Sequence, residues 1–455
     1  MTSRFIDACA RNTAFPPELV ALMAALRLRN GSTEGLQKLT EEEWSALLDF
    51  ADLSHMTLSL AQLPNEGFPA WVSERLGTNV AHNAERFERV KATYLEAATA
   101  LENAQIEHIV LKGFSQSPHY VCDPRLRAQS DLDFFCQRED IERARTALEA
   151  IGYETDKTLF TAKPDHLPAL VKTGQWKWQG DHFDPSMPLS IELHFTLWNE
   201  GVTLLSIPEI KMFWERRKFR MVDGVAFAGL SDGDHLAYLA LHILRNILAG
   251  DWVIHHVHEL AKFLHNHSDD KEFWQCWKQT YSMRLRMLTS IAFVYAGCWF
   301  DCKMNEELEA EIEQLPEETK SWLRTFAGSS LDAMFRPNRD WVWLHTTLLN
   351  SAKDRRRVIS NALIPDHIPG RNSPAISLNL RRAIAPTSDN PRIQYFLFLR
   401  TRIMSYLGMV SKTLRGRVEW WFSEKQLGRE FWKFLFASFF LTWAFQSTSS
   451  YSIYF

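Results

Sequence analysis

"IVLKGFSQSPHYVCDPRLRAQSDLDFF", residues 109–135, decides how this chain is read. Its first residues are the β-branched and apolar run of a buried strand, and Gly113 lets the chain turn out of that strand into a helix. At the other end, Asp131 and Asp133 alternate with Leu132 and Phe134. Residues two apart on a strand share a face, so both carboxylates point the same way. A pair of oxygen ligands so placed can hold Mg²⁺ together with phosphate oxygens and waters.

Working outward, "REDIERARTALEAIGYE" reads as a helix with Ile141, Ala144, Leu148 and Ile151 on one face and Gly152 as its stop. The next strand candidate is "LSIELHF", residues 189–195, with Ser190, Glu192 and His194 on one side and Ile191, Leu193 and Phe195 on the other. Glu192 is the best candidate for a third carboxylate. Three crowded acids repel one another unless a cation neutralises them, so the pattern predicts a metal. The Lys112-Gly113 junction is the phosphate side of the same idea. Backbone N–H groups at a helix start attract anions, Gly113 permits close approach, and Ser115 adds a hydroxyl. Lys112 is either a phosphate contact or a surface charge. Arg125 and Arg127 either clamp a triphosphate or pair with Asp123 and neighbouring acids.

The remainder of the chain is mostly helical in period. "PELVALMAALRLRN", "TEEEWSALLDFADLSHMTLSLAQL" with a capping box between Thr40 and Glu43, and "AHNAERFERVKATYLEAATALENAQ" precede the first strand. From 231, "SDGDHLAYLALHILRNILAGDWVIHHVHELAKFL" reads as two helices joined near Gly250, with more helix to about 330. Five prolines between 365 and 391 mark an irregular connection over the surface. These shifts divide the chain into a helical region at 1–95, an α+β core at 96–200, a helical domain at 201–330 and an extension at 331–455. Within the helical domain, His255, His256, His258 and Glu259 lack the HExxH order of a zinc site and read as structural. His242 and Trp252 read as packing partners.

Composition sets limits. The 455 residues are 46% hydrophobic and 23% charged with a net charge of −4, so generic nucleic-acid binding is not expected. "DRRRV" at 354–358 reads as a solvated stripe. The N-terminus has no secretory pattern, which predicts a cytoplasmic protein. Six cysteines without a CxxC pair read as reduced thiols. The aromatic run "FWKFLFASFFLTWAF", residues 431–445, falls short of the roughly 20 residues a spanning helix needs. With Arg415, Arg417, Lys425 and Arg429 upstream, it is either a buried terminal helix or a contact for a partner or an anionic membrane surface.

Three stretches carry a resemblance: "IEHIVLKGFS", "HYVCDPRLRAQSDLDFFC" and "LSIELHFTLW". Together they resemble the nucleotidyltransferase superfamily with its DNA polymerase β-like fold, and more closely a bacterial family of uncharacterised nucleotidyltransferases. The likeness spans roughly residues 35 to 265, with Trp252 and Glu259 where the family's Trp and acidic residue are expected. The chain departs from the superfamily at the phosphate loop, where Lys-Gly-Phe-Ser replaces an adjacent Gly-Ser or Gly-Gly. The resemblance implies an α+β fold with a small mixed sheet flanked by helical regions. It implies transfer of a nucleoside monophosphate from an NTP, ATP first among them, to an acceptor that the sequence does not identify. Asp131, Asp133 and Glu192 would bind two Mg²⁺ (or Mn²⁺) ions, with Glu192 or His194 assisting as base. Lys112, Gly113, Ser115, Arg127 and His194 would meet the nucleotide.

Overall fold

The computed structural model describes residues 15–155, 165–172, 174, 176–178, 180–251, 253–363 and 391–424. Before the first strand lie α1 (Pro17–Ala25), α2 (Glu41–Leu53) and α3 (Ala70–Asn103). The start of α2 follows the sequence expectation closely. The Thr40 hydroxyl accepts from the Glu43 N–H at 3.2 Å while the Glu43 carboxylate accepts from the Thr40 N–H at 2.8 Å, which satisfies two otherwise orphaned donors.

The sheet region contains β1 (His108–Leu111), β2 (Asp131–Cys136), α4 (Ile141–Ala150), β3 (Glu154–Thr155), β4 (Leu170–Val171), β5 (Ser190–His194), β6 (Lys218–Val222) and β7 (Val225–Gly229). Their spatial order is β3-β4-β5-β2-β1-β7-β6. β2 is central: antiparallel to β1, with Leu111 opposite Asp133, and parallel to β5, with Asp133 opposite Glu192. The fold is therefore α+β with a mixed sheet between helical regions, as the sequence leads one to expect.

The sheet does not stop at residue 200. β6 and β7 form a hairpin, and β7 runs parallel beside β1. The turn between them is Asp223-Gly224, both at positive φ, the Asp-Gly pair that a tight primed turn favours. That signal was present in the sequence, inside a stretch assigned to the helical region.

Alternation divides the sheet's two faces between two cores. Val110, Leu132, Phe134, Ile191 and Leu193 pack with Phe87, Tyr94 and Leu101 of α3 and with Leu148 of α4. Ile109, Leu111 and Phe135 join the larger helical core on the other face. Asp133, Glu192 and His194 alternate with the first group, so they are turned toward the helical side. The bounding helices there are α5 (Asp232–Ala249) and α6 (Ile254–Asn266), separated by Gly250 at φ 78°.

Beyond them come α7 (Lys271–Thr280), α8 (Met283–Phe300), α9 (Glu306–Glu313), α10 (Glu317–Phe326), α11 (Trp341–Leu348), α12 (Ala352–Leu363) and α13 (Pro391–Glu424). α8 is nearly all buried and forms the axis of the helical core. α13 is anchored by Trp420, whose Nε1–H donates to Ser321 at 3.0 Å, and by Trp343, whose Nε1–H donates to the Thr413 carbonyl at 2.8 Å. Ile403, Leu407, Leu414 and Trp421 lie exposed along another face of that helix.

Five of the cysteines are described, and all are free thiols. Cys9, Trp252, most of the proline-rich connection and the aromatic run 431–445 lie outside the described residues. Among the described residues, no helix is long and apolar enough to cross a membrane.

Candidate active site

Strand register brings the site together. The side chains of Asp133, Glu192 and His194 place one ligand atom each within 4.8 Å of one another. The His194 Nε2–H donates to Asp133 Oδ1 at 2.8 Å and lies 3.6 Å from Glu192 Oε2. Asp131 sits two residues before Asp133 on the same strand, half-buried at the mouth of this group.

Lys112 is not a surface charge: its side chain is 13% exposed and its Nζ lies 2.8 Å from Asp133 Oδ1. The same carboxylate oxygen thus accepts from an ammonium and an imidazole.

The backbone around Lys112 explains how it gets there. Lys112 has φ 48° and ψ −155°, and Gly113 has φ 54°, conformations that L-residues other than glycine adopt at a cost. Instead of a helix, the chain makes a single 3₁₀ turn over Gly113–Gln116. A Cβ on Gly113 would collide with the Gln129 amide. Gln129 accepts from the Phe114 N–H at 3.0 Å and donates to the Asp131 carbonyl at 2.7 Å. The Ser115 hydroxyl donates inward to the Lys112 carbonyl at 2.6 Å. From β6, Arg220 donates to the carbonyls of Ser115 and Ser117 at 2.8 and 3.0 Å. This turn is filled by its own protein partners, so its glycine and serine shape the position of Lys112.

The two arginines of the intervening turn are also engaged. Arg125 pairs with Asp223 at 2.6 Å and with Asp123 at 3.2 Å, the second of the two alternatives posed by the sequence. Arg127 reaches α6, where its Nε lies 2.8 Å from Glu259 Oε1, with both side chains about nine-tenths buried.

Electrostatics separates the acids. Burial pushes Asp131 up to about 7, and the Asp133 charge beside it adds to that rise. Burial acts against the Asp133 charge as well, but the Lys112 ammonium and His194 outweigh it and hold that carboxyl well below its usual range. Glu192 is lowered too, burial being outweighed by His194 and the nearby cations. His194 is raised to about 9, because its hydrogen bonds to Asp133 and Glu192 overcome its burial. A ring held cationic and donating to two acids is a poor proton acceptor, and of the three carboxylates only Asp131 is raised.

Sequence reading did not single out His166, Asp165 or Arg245. His166 donates through Nδ1 to the Leu167 carbonyl at 2.7 Å, so Nε2 is the nitrogen facing Glu192 Oε2, 4.0 Å away. Arg245 of α5 is paired with Asp165. The only signal for His166 would have been its bridge partner His194, a tertiary fact.

His255, His256 and His258 behave as structural residues. His258 meets Ser59 at 3.2 Å, His256 meets Glu259 at 3.4 Å, and the His255 ring lies 5.0 Å from that of His55. His242 faces His256 with ring centroids 4.9 Å apart. Burial lowers all of these histidines, so they stand neutral.

Asp133, Glu192 and His194 are gathered closely enough to hold a divalent cation, His194 only after giving up the proton it directs at the two acids, with Asp131 adjacent. A mixed sheet carrying acids on two adjoining strands, backed by helices on both sides, defines an α+β protein with a candidate cation-binding site. Its family follows from the sequence of that same region. A family model described as an uncharacterised nucleotidyltransferase matches residues 40–301, more than half of the chain, and the protein belongs to that family. No curated protein and no solved structure matches the chain.

Proposed function

We propose that this protein is a Mg²⁺-dependent (or Mn²⁺-dependent) nucleotidyltransferase that moves a nucleoside monophosphate from an NTP, ATP first among those to test, to an acceptor hydroxyl. The observation that supports this reading best is the register that sets Asp133 directly opposite Glu192 on adjoining parallel strands, within a member of a nucleotidyltransferase family. In the proposed reaction an acceptor oxygen forms a new bond to the α-phosphorus, the bond from that phosphorus to the bridging oxygen breaks, and pyrophosphate leaves. The acceptor proton passes to a carboxylate or to solvent. Asp131, Asp133 and Glu192 would hold two divalent cations. When bound, one would neutralise the leaving pyrophosphate and the other, also held by Glu192, would make the attacking hydroxyl more acidic.

The protein's own groups have distinct parts in this scheme. His194 orients Asp133 and Glu192 by donating to both. Lys112 holds Asp133 ionised, and Gly113 and Ser115 shape the turn that delivers it. Arg127 fastens the turn before β2 to α6. Residues 96–200, extended by the hairpin at 218–229, form the catalytic unit, while the regions 1–95, 201–330 and 331–455 select the acceptor, a small molecule, sugar, peptide or protein. The same reading places the enzyme in the cytoplasm, with residues 431–445 as a peripheral contact to a membrane or partner. Flotation with anionic vesicles, with and without residues 431–455, tests that contact.

Calorimetry of NTP binding with and without Mg²⁺, and in Asp131→Asn/Asp133→Asn, tests the main reading, with pyrophosphate release followed in cell extract. Metal-dependent binding that the double variant loses, together with extract-stimulated pyrophosphate release, supports it. Absence of NTP binding under every condition refutes it.

One observation favours a second reading, a nucleotidyltransferase-fold binding or regulatory protein without turnover. Lys112 and His194 already balance Asp133 and Glu192. NTP binding without pyrophosphate release in any extract would select it.

A further inference from the structure

Between β4 and β5 the chain gathers an aromatic group separate from the acidic cluster. The Trp178 side chain there is left 51% exposed, although tryptophan is highly buried on average. Trp176 and His182 flank it, with ring centroids 6.2 and 4.9 Å away at interplanar angles of 64° and 70°. Neither neighbour lies flat against Trp178, so they hold the ring without stacking over it. We propose that Trp178 is the platform on which the base of the NTP stacks, and that this stacking makes the site favour purine nucleotides. The inference rests on the nucleotidyltransferase reading and adds a base subsite to it.

Three observations place this ring beside the phosphate chemistry. First, β2 and β5 run parallel with Asp131 opposite Ser190. The segment that enters β5 therefore lies at the same end of the sheet as Asp131, the mouth of the acidic group.

Second, that segment is tied to the turn before Asp131 through one buried guanidinium. Trp176 Nε1–H donates to Asp184 Oδ2 at 2.7 Å. Arg86 of α3 donates to the Asp184 carbonyl at 3.0 Å and to the Gln129 carbonyl at 2.7 Å. Asp131 is close enough for its charge to act on Arg86.

Third, the group faces the helical side. His182 and Arg127 both act electrostatically on His55, whose ring lies 5.0 Å from that of His255 in α6. α6 bounds the side toward which Asp133, Glu192 and His194 turn.

Arg86 suits the other half of a nucleotide. It is 3% exposed, it donates to carbonyls, and its Nη2 has no hydrogen-bond partner among the described residues. A buried cation without a carboxylate against it attracts an anion. An NTP with its base on Trp178 and its phosphates toward Asp131 runs along that field. Every base has a π-face, so a stacking platform reads ring size and not hydrogen-bonding edges. The larger purine gains more.

The test separates base from phosphates. Calorimetry on full-length protein with Mg²⁺ compares α,β-methylene-ATP, α,β-methylene-CTP and inorganic tripolyphosphate. The wild type is expected to bind the adenosine analogue more tightly than the other two. Trp178→Ala, checked for folding by circular dichroism, is expected to bind it about 5- to 100-fold more weakly with tripolyphosphate unchanged. Trp178→Phe, which keeps a ring, should retain most of the affinity.

Equal wild-type binding of the adenosine analogue and either of the other probes overturns the inference while leaving the nucleotidyltransferase reading intact. That comparison decides the matter alone should Trp178→Ala not fold. Unchanged analogue binding in a folded Trp178→Ala also overturns it. So does an equal loss for analogue and tripolyphosphate, because the ring would then support the phosphate region and not the base. Absence of binding of all three probes by the wild type removes the functional reading, and the inference with it.

Discussion

Two buried acid–base clusters are anchored on β2 and on the turn before it, and they are built on different arithmetic. In the first, Lys112 and His194 face Asp133 and Glu192, with Asp131 beside them in excess. In the second, one arginine, Arg127, faces one carboxylate, Glu259, and the neighbouring His256 is kept neutral by burial. The histidine state separates them: His194 is raised to about 9 by two acids, whereas His256 is lowered despite Glu259. A cluster with spare acid can accept a cation, and a cluster with none to spare is a structural latch.

The sharpest way to break this comparison is to remove one cation from the latch. Arg127→Met leaves Glu259 buried beside a neutral imidazole, and a loss of about 3–5 kcal/mol in urea unfolding is expected. Asp133→Asn should cost less, about 1–3 kcal/mol, because Glu192 already stands 3.6 Å from His194 and remains to balance the cations. Its larger effect is loss of metal-dependent NTP binding. Equal stability losses in the two variants would show that the clusters are of one kind.

Acid should open the latch side first. Glu259 is held at about 2, burial being outweighed by Arg127 and His256, so its stabilising contribution is present above about 4.5 and is lost as pH falls toward 2. The buried histidines begin to act at higher pH. His235 is lowered to about 3 and His256 is lowered as well, in each case chiefly by burial. A histidine with a depressed folded value takes up its proton on unfolding, so each weakens the fold as pH falls below about 6.5. The slope is up to about 1.4 kcal/mol per pH unit per group. Denaturation midpoints between pH 7 and 4 check this, and a flat profile would contradict the neutral state assigned to these rings.

Smaller effects sharpen the picture of the turn. Gly113→Ala places a methyl group against the Gln129 amide at a left-handed φ and should cost about 1–3 kcal/mol. Adding Gln129→Ala should recover only the steric part, and full recovery would mean that backbone conformation contributes nothing. Thr40→Ala, distant from both clusters, removes half of a capping box. It should lower stability by about 1 kcal/mol in thermal melts and leave NTP binding unchanged.

How much of this was legible beforehand depends on the range of the signal. The Thr40 capping box, the strand at 109–111, the shared face of Asp131 and Asp133, and the stop at Gly250 are local patterns, and each was readable. The hairpin at 218–229 was readable and missed, because its Asp-Gly turn lies in a stretch judged by the helices that follow it. The fates of Arg127 and Lys112 were of another kind. Arg127 meets a residue 132 positions later in the chain, and no spacing rule reaches that far.

The sequence by itself determined the alternation that sends Asp131, Asp133, Glu192 and His194 to one side of their strands, because side-chain direction along a strand follows from backbone geometry alone. Only the tertiary structure decided that β2 and β5 are neighbours in a register that sets Asp133 against Glu192. It also decided that Lys112 turns inward as their counter-ion and that Arg127 leaves them for Glu259. Those outcomes depend on which strands pair and on where buried charge finds its opposite, and both are settled between segments far apart in the chain.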